Sequence, residues 1–70
     1  MRRFLIVIEK AGRNHSAYSP DLPGCVATGR TRAEAEKNMH EAVQLHVDGL
    51  LEDQLPIPES TSFAEYVAIP

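Results

Sequence analysis

The spacing of apolar and polar residues predicts three short strands, one long helix and a final strand. The run Phe4–Ile8 is continuously β-branched, aromatic or leucine, which is typical of a strand covered on both faces. Two weaker strands, His15–Tyr18 and Cys25–Thr28, are bracketed by turn residues, and such short connections favour an antiparallel meander. Residues 63–69 alternate well enough to form a last strand.

A helix is predicted from Thr31 to about Asp53. Thr31 and Glu34 have the spacing of a capping box, in which the two residues satisfy each other's free backbone N–H groups. Apolar residues then recur at three- and four-residue steps and share one face. They are Ala35, Met39, Ala42, Val43, His46 or Val47, and Leu50. The expected fold is therefore α+β, with the order β-β-β-α-β in a single domain spanning residues 1–70.

The connection between the second and third strands, Ser19–Gly24, has the composition of a rigid corner. Pro20 and Pro23 fix their own φ angles, and Gly24 can adopt a positive φ. Asp21 has a structural interpretation here, because aspartate in a turn often accepts a hydrogen bond from the turn backbone. Its alternative role is contact with a partner.

One helix can cover only one face of a sheet, whereas Phe4–Ile8 is apolar on both faces. Something else must cover the second face, and a partner subunit is the economical answer. We therefore expect a homodimer or a higher oligomer.

Charge is divided unevenly along the chain, whose net charge is −3. Residues 1–33 hold six Lys or Arg and two acids, whereas residues 34–70 hold one basic residue and eight acids. The second half is unsuited to nucleic acid and can attract a basic protein. A solvated acidic helix face without a partner is the alternative interpretation.

No pattern of residues indicates a cofactor or a metal site. His40 and His46 are six residues apart and lie on different faces of the predicted helix, and no other ligand stands at a suitable spacing. Cys25 is the only cysteine and lies in an apolar strand, so we expect a small buried hydrophobe. One alternative is a nuclease that binds Mg²⁺ through Glu9, Glu36 and Glu65.

Two motifs give the chain a resemblance to the HicB antitoxin family. They are YSPDLPGC at residues 18–25, and ATGRT followed by AEA within residues 27–35, continued by NMHEA at residues 38–42. The resemblance extends over nearly the whole chain. It implies a partial RNase H-like fold with the same β-β-β-α-β order.

Members of this family typically neutralise HicA toxins, which are small basic RNases, by covering the toxin's active region. The resemblance therefore implies a non-enzymatic antitoxin that needs no cofactor and occludes a HicA-like toxin. The residues expected to contact the toxin match the family's corner or lie on the acidic helix: Tyr18, Asp21, Leu22, Pro23, Glu34 and Glu41. A solitary oligomeric protein without a toxin is the alternative.

Family members usually add a C-terminal domain that binds DNA. This chain ends at Pro70, directly after the last predicted strand, so we expect no direct DNA binding. No apolar run reaches the length of a membrane span. A lone cysteine also fits a reducing compartment, and we expect a cytoplasmic protein.

Overall fold

A computed structural model of the protein describes residues 2–70 and contains three strands followed by one helix. The strands are β1 (Val7–Ala11), β2 (Asn14–Tyr18) and β3 (Val26–Gly29), and the helix is α1 (Arg32–Glu52). The sheet order is β1-β2-β3, and both pairs of strands are antiparallel. The predicted meander, the long helix and the α+β class are confirmed.

β1 begins three residues later than the sequence predicts. Its first pair joins Val7 to Tyr18, after which β2 ends and the chain enters the corner. Residues 4–6 extend beyond this point without a strand partner. The Ser19 hydroxyl donates to the Leu5 carbonyl oxygen at 2.9 Å, and the side chains of Phe4 and Ile6 pack against the core. The predicted strand Phe4–Ile8 is thus wrong in its boundaries, because β2 is too short to pair with its first half.

The predicted final strand is also wrong for the isolated chain. Residues 55–70 form neither helix nor strand, although residues 63–69 have the alternating pattern. An extended segment becomes a strand only when a neighbouring strand takes up its backbone hydrogen bonds. The large apolar side chains of this segment are exposed: Phe63, Tyr66, Val67 and Ile69. Residues 55–70 are called the tail below.

Both ends of α1 are closed by hydrogen bonds. At the start, the Thr31 hydroxyl accepts from the Glu34 N–H at 3.0 Å, which confirms Thr31 as the N-cap, whereas the Glu34 carboxylate accepts from the Arg30 N–H in place of the Thr31 N–H. At the end, the Leu55 N–H donates to the Leu50 carbonyl at 2.9 Å and the Gln54 N–H to the Leu51 carbonyl at 3.1 Å. This is the Schellman arrangement, with Gln54 at a φ of 56° in the position that glycine usually takes.

The core lies between the helix, the corner and one face of the sheet. Ile8, Ala17 and Ala27 stand opposite one another on the three strands and point towards the helix. Leu22 from the corner and Met39 from the helix are the largest fully buried side chains. The partly buried residues that pack around this cluster are Phe4, Ile6, Ile8, Ala27, Ala42 and Val43.

The other face of the sheet is not covered by any element within residues 2–70. Side chains alternate along a strand, so Val7, Tyr18 and Val26 form a row across this outer face. Val26 is 64% exposed. A polar row, Glu9, Ser16 and Thr28, lies beside it. The helix thus covers one face only, as the sequence predicts, and the outer face is half apolar.

Candidate partner-binding surface

The corner between β2 and β3 is built from two successive turns. The Leu22 N–H donates to the Ser19 carbonyl at 3.2 Å, and the Cys25 N–H donates to the Leu22 carbonyl at 3.1 Å. Gly24 has a φ of 81°, a left-handed conformation that disfavours side chains, as its sequence position predicts. The corner is therefore a fixed piece of backbone from which exposed Pro23 projects.

Asp21 connects the corner to the tail and does not bond to the turn backbone. Its carboxylate accepts from the Ser62 N–H at 3.0 Å, from the Ser62 hydroxyl at 2.9 Å and from the Thr61 hydroxyl at 3.3 Å. The hydrogen bond from the Ser62 backbone is the main cause that lowers the pKa of Asp21 below its ordinary value. The expected Asx-type turn is thus replaced by a contact across forty residues of sequence.

Leu22 is the one candidate contact residue that the structure removes from the surface. Its side chain is fully buried against Ala17, Cys25 and Met39. It anchors the corner from inside and is not available to a partner in this fold. Cys25 beside it is also buried, and desolvation raises the pKa of its thiol, as expected of a structural hydrophobe.

Glu34 and Glu41 lie on the same exposed side of α1. They are seven residues apart, which is close to two helical turns, and the same step leads on to Asp48. Glu52 continues the row one turn later. Leu45 lies within this row and is 72% exposed. These five residues are called the acidic face: Glu34, Glu41, Leu45, Asp48 and Glu52.

Two carboxylates of the acidic face also have roles within the helix. Glu34 accepts a hydrogen bond from the Arg30 N–H at 3.1 Å, which helps to close the start of α1. Asp48 accepts from the Gln44 side chain at 2.9 Å, one turn earlier. Glu41 has no such role among the recorded hydrogen bonds of residues 2–70. It is therefore the cleanest position at which to change the charge of this face.

Leu45 was not among the contact residues predicted from sequence. Its spacing from Glu41 and Asp48, four and three residues, is the signal that places it on their side of the helix. Leu45 lies outside the apolar stripe of the helix, so the helical pattern alone predicts no packing role for it. An exposed leucine between Glu41 and Asp48 gives this face one apolar contact point.

The structure does not bring the candidate residues into one surface. Tyr18 belongs to the outer face of the sheet, whereas Glu34 and Glu41 lie on the helix that packs against the inner face. The sheet and the core separate the two groups. A single flat partner cannot cover both. The acidic face carries four carboxylates, and one cation, Lys37, lies beside Glu34 and Glu41.

The nuclease alternative loses its geometric basis. Glu9 points to the outer face of the sheet, Glu36 lies on the helix at the inner face, and Glu65 lies in the tail. Within residues 2–70, no group of three or more His, Cys, Asp or Glu side chains is placed to hold a metal ion. Two-metal chemistry needs converging carboxylates, and these three do not converge.

Comparison with known proteins identifies the family. A protein-family model described as "HicB_like antitoxin of bacterial toxin-antitoxin system" matches residues 4–70, which is nearly the whole chain. The chain belongs to the HicB-like antitoxin family. The resemblance of its corner and helix entry is thereby confirmed, whereas the RNase H-like relationship stays a prediction.

A solved structure supports the same family. A chain of a "HicA3 and HicB3 toxin-antitoxin complex" superposes with a TM-score of 0.64 and is 33% identical, covering 77% of this chain and 66% of its own. The three strands and the helix are thus an arrangement that is also found in a toxin–antitoxin complex.

Relatives with similar sequences include a 14.9 kDa protein of Haemophilus phage HP1, 38% identical over 93% of this chain and 49% of its own length. A UPF0150 protein of Helicobacter pylori is 41% identical over 70% of this chain and 68% of its own length. The chain therefore spans about half of the phage relative and two thirds of the Helicobacter one. Among residues 2–70, no helix is long and apolar enough to cross a membrane.

Proposed function

We propose that this HicB-like protein is a cytoplasmic, non-enzymatic antitoxin that binds a small basic RNase and blocks its active region. The observation that carries the proposal is the match of residues 4–70 to HicB-like antitoxins. The likeness to a chain of a complex that holds both HicA3 and HicB3 supports a HicA-like partner.

The acidic face is the part of the molecule best suited to such a partner. Glu34, Glu41 and Asp48 follow one another at intervals of about 10 Å along the helix, since each residue adds about 1.5 Å. A row of like charges attracts an oppositely charged protein and speeds its encounter. The exposed Leu45 supplies an apolar contact that can be fully desolvated at the centre of an interface.

Occlusion by this face requires no chemistry from the antitoxin. An RNase binds its substrate through cationic side chains that neutralise phosphate groups. Carboxylates placed on those cations compete with the RNA, and the helix behind them excludes it sterically. Tyr18 lies on the outer face of the sheet and Pro23 on the corner. A partner bound to the acidic face would contact them only if it also extended around the edge of the sheet.

The decisive experiment begins by finding whether a reading frame next to this gene encodes a small basic protein, and then uses that protein. We expect it to co-purify with the chain and to stop cleaving RNA when bound. The double variant Glu41→Lys/Asp48→Lys should slow association by about 10-fold or more at low salt, because steering depends on the charges of the approaching surface. Stopped-flow or surface-plasmon measurements report this rate constant directly.

A matched control separates local charge from net charge. Glu59→Lys/Glu65→Lys changes the net charge by the same amount, but both residues lie in the tail. We expect this control to bind like the unaltered chain. The proposal is contradicted if no such basic protein is encoded there, if it does not bind, or if both double variants slow association equally.

A further inference from the structure

The chain exposes far more surface than its size requires. Its accessible surface is 5852 Å², whereas a compact monomer of this mass, 7.7 kDa, is expected to expose about 4,300 Å². The radius of gyration is 13.4 Å, compared with about 11 Å for a compact chain of 70 residues. The excess of about 1,500 Å² exceeds the area of about 800 Å² that one partner buries in a standard interface.

The tail exposes several large apolar side chains. Asp21 holds the tail at Thr61 and Ser62, so the direction in which the next residues leave the body is set by the fold. Beyond this clamp, Phe63, Val67 and Ile69 stand at alternating positions of the sequence and are largely exposed. The segment has the pattern of a strand, but its strand partner is missing from its own chain.

A matching edge lies beside the tail. β1 is an outer strand, so one of its backbone edges has no strand partner within the chain. Two clefts separate the tail from the first part of the chain. The larger, of about 710 Å³, lies beside residues 3–6, the smaller, of about 470 Å³, lies beside β1, and Ile6 and Ala64 line both. They form one groove whose two walls are the Phe4–Ile8 segment and the tail itself.

We propose that residues 63–69 of a second copy enter this groove and pair with the free edge of β1, and that the exchange is reciprocal. Each inserted segment then lies between the partner's Phe4–Ile8 segment and the partner's own tail. A two-fold axis satisfies both unpaired edges at once, which is the closed symmetry that homodimers adopt. The fourth strand predicted from the sequence thus forms between chains.

Charge favours a second copy over a basic protein as the occupant. Residues 63–69 contain one charged residue, Glu65, and residues 4–8 contain none. The charged residues that line the two clefts are basic: Arg3, Lys10 and Arg32. They attract Glu65 of an inserted segment and repel a cationic partner. The acidic face lies on the helix, outside the groove, so this inference does not rest on the proposed toxin.

The test is sedimentation equilibrium of the purified chain, combined with amide exchange. We expect a species of twice the chain mass of 7.7 kDa at about 10 µM, since interfaces of this size reach micromolar affinity or better. Amides of residues 63–69 and 4–6 should become protected as the dimer fraction rises. Val67→Glu should weaken dimerisation by about 100-fold or more, because it buries an unpaired charge.

Leu45→Glu is the matched control. Leu45 and Val67 are 72% and 77% exposed, so neither substitution disturbs the folded chain, but Leu45 lies outside the groove. We expect this control to dimerise normally. Three results overturn the proposal: a monomer at about 100 µM, at which a micromolar dimer is saturated; equal weakening by both variants; or a dimer whose tail amides exchange freely. Tail protection that appears only with a basic protein overturns it as well.

Discussion

The folded body, residues 2–54, and the tail, residues 55–70, use the same kinds of sequence signal with opposite outcomes. In the body, the cap at Thr31, the turns of the corner and the apolar face of α1 all find their partners within the chain. In the tail, an equally clear strand pattern stays unpaired and exposed. The body therefore satisfies its own signals, whereas the strand pattern of the tail is satisfied only in the proposed exchange between two copies.

The largest expected effect lies in the body. Leu22→Ala removes a fully buried side chain from the junction of corner, sheet and helix. It should lower the free energy of unfolding by about 2–5 kcal/mol, which is most of the stability of a small domain. Urea denaturation measures the loss. Leu45→Ala, at an exposed position, should change the free energy of unfolding by no more than about 0.5 kcal/mol. A loss as large as that of Leu22→Ala would contradict the assignment of the core.

A pair of glycines gives the next contrast. A Cβ at Gly29 would lie 2.8 Å from the Ala35 Cα, where β3 meets the start of α1. Gly29→Ala should therefore destabilise the body by about 1–3 kcal/mol. A Cβ at Gly49 would have no other atom within 4 Å. Because Gly49 lies inside the helix, Gly49→Ala should raise the free energy of unfolding by about 0.5–1 kcal/mol. Equal effects of the two substitutions in thermal denaturation would show that β3 and α1 are not in close contact.

The boundary between body and tail can be opened at Asp21. Asp21→Ala removes the acceptor for Thr61 and Ser62 and should speed exchange of the Ser62 amide by about 10-fold or more, since local opening no longer breaks that bond. The measurement is made in the Val67→Glu background, where the tail is not otherwise paired. Amides of β2 should be unaffected. Faster exchange throughout the body would make Asp21 a determinant of the whole fold.

The smallest effect is a pH dependence at the same position. Hydrogen bonds from Ser62 lower the pKa of Asp21 in the folded chain, so the charged form stabilises the attachment of the tail. That stabilisation is complete at a pH above the ordinary aspartate pKa of about 3.9. It is lost as the pH falls through the lower pKa that Asp21 has in the folded chain. The Ser62 amide resonance should titrate with a midpoint below 3.9. The Asp21→Asn variant should show no such titration. A midpoint above about 3.9 in the unaltered chain would contradict the hydrogen bonds from Ser62 to the Asp21 carboxylate.

Local signals explain why most of the body could be predicted from its sequence. The N-cap at Thr31, the turn residues of Ser19–Gly24 and the apolar helix face act between residues close in sequence, and all three are observed. The pairing of Phe4–Ile8 and of residues 63–69 could not be predicted, because strand formation depends on a neighbour that local pattern does not specify. The sequence indicated two extended apolar segments without showing that each lacks a partner in its own chain.

The candidate surface was predicted less completely than the fold. Glu34 and Glu41 are exposed on one side of the helix, as their spacing predicts, but Leu22 is buried. A motif that combines turn and core residues does not reveal which side chains point inward. The role of Asp21 depends on Ser62, 41 residues away, and no local rule predicts such a contact.

The most direct measurement is the mass of the complex that we propose this chain forms with a small basic protein encoded in a neighbouring reading frame. Native mass spectrometry should find two copies of each protein for the unaltered chain and one copy of each for Val67→Glu. The dissociation constant for the basic protein should be the same in both. Loss of that binding in Val67→Glu, or a one-to-one complex of the unaltered chain, would show that body and tail do not bind separate partners.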